Sequence, residues 1–197
     1  MNSLLKLSAW IDAFNSRVGR WLSWLVLIVV LISAANAVVR KVFDLSSNSF
    51  LELQWVIFSV IFLLCSPWTL AQNEHIRIDI VNQMLPLRVR SWIDMVGHVL
   101  FLLPFCIVMV IYSVPFFLSS YRIHEQSFSA GGLPQWPAKS LLMIGFLLLL
   151  IQCISEIIKR AAIMHGDLPD PHQAQPDRHP AEVEAERIVS QMPLDAR

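Results

Sequence analysis

Four stretches of the chain run almost without a polar residue for the length needed to cross a bilayer: about 22–39, 50–70, 95–118 and 138–158. A hydrocarbon core about 30 Å thick takes about 20 helical residues at about 1.5 Å each. Barrel strands would be half as long and would alternate polar with apolar positions, so the pattern predicts four transmembrane helices. Before the first span, Leu4, Leu7, Ile11, Phe14, Val18 and Trp21 recur at helical spacing, with Lys6, Asp12, Asn15, Arg17 and Arg20 between them. Residues 1–21 therefore read either as an amphipathic helix lying in the membrane interface or as a plain continuation of the first span. Beyond residue 160 the pattern ends. Pro169, Pro171, Pro176 and Pro180 and an acidic excess predict a disordered tail over 161–197.

Composition agrees with this pattern. The 197 residues are 55% hydrophobic and only 15% charged, with a mean hydropathy of +0.56, against about 45–50% and about 25% in soluble domains. The formal net charge of +0 and the lack of a dense basic patch argue against a nucleic-acid partner. Basic residues set the orientation. Lys6, Arg17, Arg20, Arg77, Arg88, Arg90, Lys159 and Arg160 fall on one side, and Arg40, Lys41, Arg122 and Lys139 on the other. Eight against four places both termini in the cytoplasm. Ala35-Asn36-Ala37 resembles a signal-peptide cleavage site, but the apolar run continues to Val39 and meets Arg40 and Lys41 directly.

Ionisable groups within a bilayer are candidates for function. Glu52 and Gln54 stand at the outer end of the second span, and Glu52 is within reach of Arg40, which suggests a pair tying spans one and two. Gln152 and Glu156 share one helix face, and Glu156 precedes Arg160 by four, the favourable order for a helix ion pair. Pro67, Pro104 and Pro115 predict kinks. They have no matching midplane charges, so they read as shape rather than as a solute pathway.

Enzyme chemistry finds little footing. His124-Glu125 is followed by Phe128 where a zinc protease needs its second histidine, and there is no Gly-x-Ser-x-Gly elbow, P-loop or Gly-x-Gly-x-x-Gly. His98 is the only histidine within a predicted span, a poor basis for haem. Cys65, Cys106 and Cys153 sit in apolar spans as small hydrophobes. The expectation is a non-enzyme with no cofactor and no metal.

Two loops stand out. The cytoplasmic one reads Gln72-Asn73-Glu74-His75-Ile76-Arg77-Ile78-Asp79-Ile80, and Glu74, His75, Arg77 and Asp79 are candidates for subunit contact. The outer one reads Gly131-Gly132-Leu133-Pro134-Gln135-Trp136-Pro137, a defined turn around an aromatic, with Trp136 as a further candidate. These two loops, the Asn48-Ser49-Phe50-Leu51-Glu52-Leu53-Gln54-Trp55 stretch and the Gln152-x-x-Ser155-Glu156-Ile157-Ile158-Lys159-Arg160 ending occur in that order on a four-span frame. Together they resemble the small membrane subunit of tripartite ATP-independent periplasmic (TRAP) transporters. The resemblance covers about 22–160. It implies an accessory, multi-pass subunit of a bacterial inner membrane, working with a large multi-span permease subunit and a periplasmic solute-binding protein. It further implies ion-coupled secondary uptake of an organic acid or related solute. The family's second span opens on paired acids, whereas here Glu52 is followed by Leu53. A membrane anchor of an electron-transfer or enzyme complex is the alternative.

Overall fold

In hydrocarbon every backbone amide must find its partner within the protein, and a helix does this within its own segment. The computed structural model, which describes residues 2–43, 48–72 and 87–165, is helical accordingly. Helix α1 (Asn2–Phe43), α2 (Asn48–Ala71), α3 (Leu87–Val96), α4 (Leu103–Arg122) and α5 (Trp136–His165) follow in order. A π-helical turn, Gly97–Leu102, joins α3 to α4 without a break. Four helical stretches are long and apolar enough to cross a membrane: Leu4–Phe43, Asn48–Ala71, Ser91–Arg122 and Trp136–His165. Among the described residues there is no strand, only one isolated bridge between Gln126 and Pro134. The candidate loop residues Glu74, His75, Arg77 and Asp79, and the tail from 166 onward, lie outside the described residues.

Of the segment 1–21, for which two readings were open, the described residues 2–21 are continuous with the first span in a single helix of 42 residues. At about 1.5 Å per residue it is about 63 Å long, roughly twice the hydrocarbon thickness. Helix α5 also runs to His165, five residues past the expected start of the tail.

The π-helical turn has a local cause. Pro104 has no N–H to give to the carbonyl four residues back, and its ring crowds that carbonyl. The chain widens just ahead of it, and the Leu103 N–H bonds to the carbonyl of His98, five residues back. The ring Nδ1 of His98 in turn lies 2.5 Å from the carbonyl oxygen of Asp94.

Helix α5 is central: α1, α2, α3 and α4 all pack against it. Contacts run antiparallel between α1 and α5, because Ser8 meets Ser155 while Asn15 meets Gln152. The apolar core is small, formed by Leu70, Cys106, Leu149 and Cys153 with Leu102, Phe146 and Ile157 around it. Much of what is buried is polar: Ser8, Asn15, Ser113, Ser120, Gln152, Ser155, Glu156 and Arg160. Large apolar side chains such as Trp21, Phe62, Phe101 and Tyr112 are turned outward. A soluble bundle would reverse this. Lipid supplies no hydrophobic drive for helices to associate, so close packing and interhelical hydrogen bonds must hold them.

Small residues provide the close approach. A Cβ on Gly145 would stand 2.8 Å from Leu63 Cβ and 3.1 Å from the Leu63 carbonyl oxygen. Gly145→Val should therefore push α2 off α5 and cost about 1–3 kcal/mol, read as a lower unfolding midpoint in detergent. Gly97→Ala, with nothing within 4 Å of the added carbon, should leave the midpoint unchanged.

Candidate functional site

The polar side chains gather at the two ends of the bundle. At one end, α2 offers Glu52, and the segment 123–135 between α4 and α5 closes over it. The turn is tight because the Gln135 N–H bonds to Glu125 O (2.9 Å), the Ser127 N–H to Leu133 O (3.1 Å) and the Gly132 N–H to Ser129 O (3.0 Å). His124 and Gly131 take positive φ, 49° and 71°, which turn the chain back on itself. Into this turn Glu52 projects a carboxylate. One oxygen accepts from the Ser127 hydroxyl and the other from the Leu133 N–H at 2.6 Å. A Cβ on Gly132 would meet that carboxylate at 2.8 Å and Ser127 closer still, so only glycine fits. The first turn of α2 adds two more ties: Asn48 Nδ2 donates to Ala130 O at 3.2 Å, and the Ser49 hydroxyl to Gly131 O.

The other side of the loop is pinned to α5. Lys139 pairs with Glu125, and its ammonium also stands 4.2 Å from the centre of the Phe116 ring. Trp136, the first residue of α5, packs edge-on to Tyr121 at 5.7 Å between ring centres. The hydrogen bond and charge of Lys139 hold the Glu125 carboxyl below its ordinary value. At the rim of this latch a cavity of about 270 Å³ opens between Glu52, Trp55, Ser59 and Phe128, and Phe128 is fully exposed.

At the opposite end, α1 and α5 form a polar seam. Asn15 Nδ2 donates to Gln152 Oε1 at 2.7 Å. Gln152 Nε2 donates to Asp12 Oδ1 at 2.7 Å and to Glu156 Oε1 at 3.1 Å. The Ser155 hydroxyl donates to Asp12 at 3.1 Å and lies 2.7 Å from the Ser8 hydroxyl. Lys159 sits between two acids, 2.9 Å from Asp12 and in contact with Glu156. The next residue, Arg160, reaches Asp94 of α3 at 3.2 Å.

These placements revise several expectations. Glu52 makes no ion pair with Arg40 among the described residues; the loop takes both of its oxygens. Arg40 lies exposed in the last turn of α1. Gln54 is half-buried, and its Nε2 has no hydrogen-bond partner among the described residues. Glu156 turns to Lys159 and Gln152, while Arg160 reaches across to Asp94. Sequence reasoning missed Ser8, Asp12 and Asn15 as partners of α5, although their spacing of four and three puts them on one helix face. The Glu125–Lys139 tie and Ser127 were missed as well, for no local spacing links a loop to a helix start.

Among the described residues, no group of three or more His, Cys, Asp or Glu could hold a metal ion. Both polar regions join helix to helix or helix to loop. Residues 29–162 match the family model described as "Tripartite ATP-independent periplasmic transporters, DctQ component". No curated protein and no solved structure matches the chain. The matched stretch contains the whole loop latch but only the α5 half of the polar seam.

Removing the latch acceptor should free the loop. Glu52→Gln exchanges a charge-assisted acceptor for a weaker one and should loosen the loop from α2. A spin label at Phe128→Cys would then become mobile at neutral pH. In the wild-type latch the label should stay immobile until the medium turns acid. The depressed Glu125 value means that this carboxylate stabilises the fold fully above its ordinary 4.5, and that the contribution is lost as pH falls through the lower, folded value. Glu125→Gln should show the acid-form mobility at every pH. For the seam, a double-mutant cycle of Asn15→Ala and Gln152→Ala should give a coupling of about 0.6–1.7 kcal/mol in detergent unfolding.

Proposed function

We propose that this chain, which belongs to the DctQ component family of tripartite ATP-independent periplasmic transporters, is the accessory small permease subunit of such a transporter. In this reading it stands in the bacterial inner membrane with both termini in the cytoplasm. It pairs with a large multi-span permease subunit and a periplasmic solute-binding protein. The assembly imports an organic acid or related solute, driven by an ion gradient, and the chain itself performs no chemistry.

The observation that carries the reading is where the polar groups go. A carrier that works alone needs unpaired polar groups near the midplane to receive solute and ion. Here Asp12, Glu156 and Lys159 satisfy one another, Asp94 takes Arg160, and the loop takes Glu52. The apolar outer faces of the helices, with Phe62, Phe101 and Tyr112 turned outward, are suited to lipid and to a membrane partner. The latched outer loop, with Phe128 at its tip, offers a fixed surface to the binding protein.

Reconstitution tests this directly. The chain alone in proteoliposomes should give no solute uptake above background. The chain with the large permease and the binding protein should give ion-dependent uptake, and should purify with the large permease in fixed ratio. Uptake by the chain alone, or loss of the fixed ratio under mild detergent, would count against the proposal.

A further inference from the structure

The outward side of α1, opposite the seam, carries a charge that the latch and the seam do not use. Gly19 is packed so closely on Trp68 that a Cβ would lie 2.5 Å from the ring, and the Cys65 thiol lies 3.9 Å from the Gly19 carbonyl oxygen. Arg17 and Arg20, to either side of Gly19, are exposed. Among the described residues neither has an acidic partner. Their depth follows from the same contact. Trp68 is three residues from the end of α2 at Ala71, about 5 Å along the helix. The two arginines therefore lie about one turn inside the end of a span. From there an aliphatic stem can rest in hydrocarbon while the guanidinium reaches the headgroup layer.

Trp21 and Trp24, 76% and 70% exposed, stand beside them at the depth that indoles favour. With the arginines they line a cavity of about 350 Å³. Arg20 Nε donates to its own helix at Ser16 O, 3.3 Å away, which turns the rest of the guanidinium to the cavity. Toward the bilayer centre the same helix exposes Leu27, Ile28 and Leu31, an apolar track below a cationic head. A phosphate with acyl chains beneath it fits this arrangement; an acidic protein loop would leave the track uncovered.

We propose that Arg17, Arg20, Trp21 and Trp24 bind the phosphate headgroup of an anionic phospholipid in the leaflet on the N-terminal side. The guanidinium fork matches phosphate oxygens two at a time, and the indole N–H groups add donors at the same depth. The test uses the full chain in detergent, with dioleoylphosphatidylglycerol, dioleoylphosphatidylcholine or inorganic phosphate added in turn. Native mass spectrometry should find the anionic lipid retained over the zwitterionic one. An Arg17→Gln/Arg20→Gln variant should hold the anionic lipid about tenfold less tightly, and Arg17→Lys/Arg20→Lys should hold it at an intermediate level. As a second measure independent of any arginine change, brominated phosphatidylglycerol should quench wild-type tryptophan fluorescence more than it quenches a Trp21→Phe/Trp24→Phe variant. Equal retention by wild type and the glutamine variant would overturn the proposal, as would equal retention of the two lipids. Displacement of the lipid by inorganic phosphate at equal concentration would assign a site for soluble anions instead. Crosslinks from Arg17→Cys to a co-purified protein, with no lipid retained, would assign the patch to a subunit contact.

Discussion

The hydrogen bond from Asn15 to Gln152 is the contact around which the packing of α1 on α5 is organised. In water such a bond exchanges one set of partners for another and gains little. Buried between two packed helices, the amides have no solvent to return to, so they must be satisfied by each other or remain costly. Gln152 meets this demand in full. Its oxygen accepts from Asn15, and its nitrogen donates to Asp12 and Glu156. That arrangement recruits Lys159, because two acids held this close require a cation between them. It also fixes the register of α1 on α5, since a slide of one residue would turn Asn15, Asp12 and Ser8 away together.

Much of the architecture could be read from the chain. The four apolar runs locate the membrane-crossing helices because length and lack of charge are close to sufficient criteria in lipid. The reading of the N-terminal segment went less far for a physical reason. Periodicity shows that Ser8, Asp12 and Asn15 share a face, but not whether that face meets water or another helix. A polar stripe over water and a polar seam against Gln152 and Lys159 have the same spacing. Glu52 raised a similar difficulty. Sequence proximity suggested Arg40, whereas the acceptor is claimed by backbone and hydroxyl donors some 80 residues away, whose positions depend on a loop conformation that glycines permit. For Arg160, the helical rule favoured Glu156, but a neighbour on the same helix competes with any acid that tertiary packing brings to the guanidinium, and Asp94 is that acid.

The two polar regions do different mechanical work. The latch joins a loop to helix ends through many short contacts and holds a surface in shape. The seam joins two long helices side by side and fixes their register. Between them the bundle relies on shape, as at Gly145 against Leu63 and Gly19 against Trp68. A body braced at both ends resists sliding of one helix past another.

The π-helical turn ahead of Pro104 also determines which way α4 faces. The buried positions around it are His98 before or within the turn and Cys106 beyond it, and both meet α5 near Cys153. Eight residues of ideal α-helix would rotate one from the other by about 80°, sending Cys106 toward lipid whenever His98 faced inward. The wider turn absorbs much of that rotation. It acts as a phase correction written into the backbone, so that Asp94, His98, Cys106 and, a further seven and fourteen residues on, Ser113 and Ser120 all come to lie on the buried side. Straightening this turn into ordinary α-helix would thus leave every buried side chain chemically unchanged, yet it would rotate one half of this span against the other.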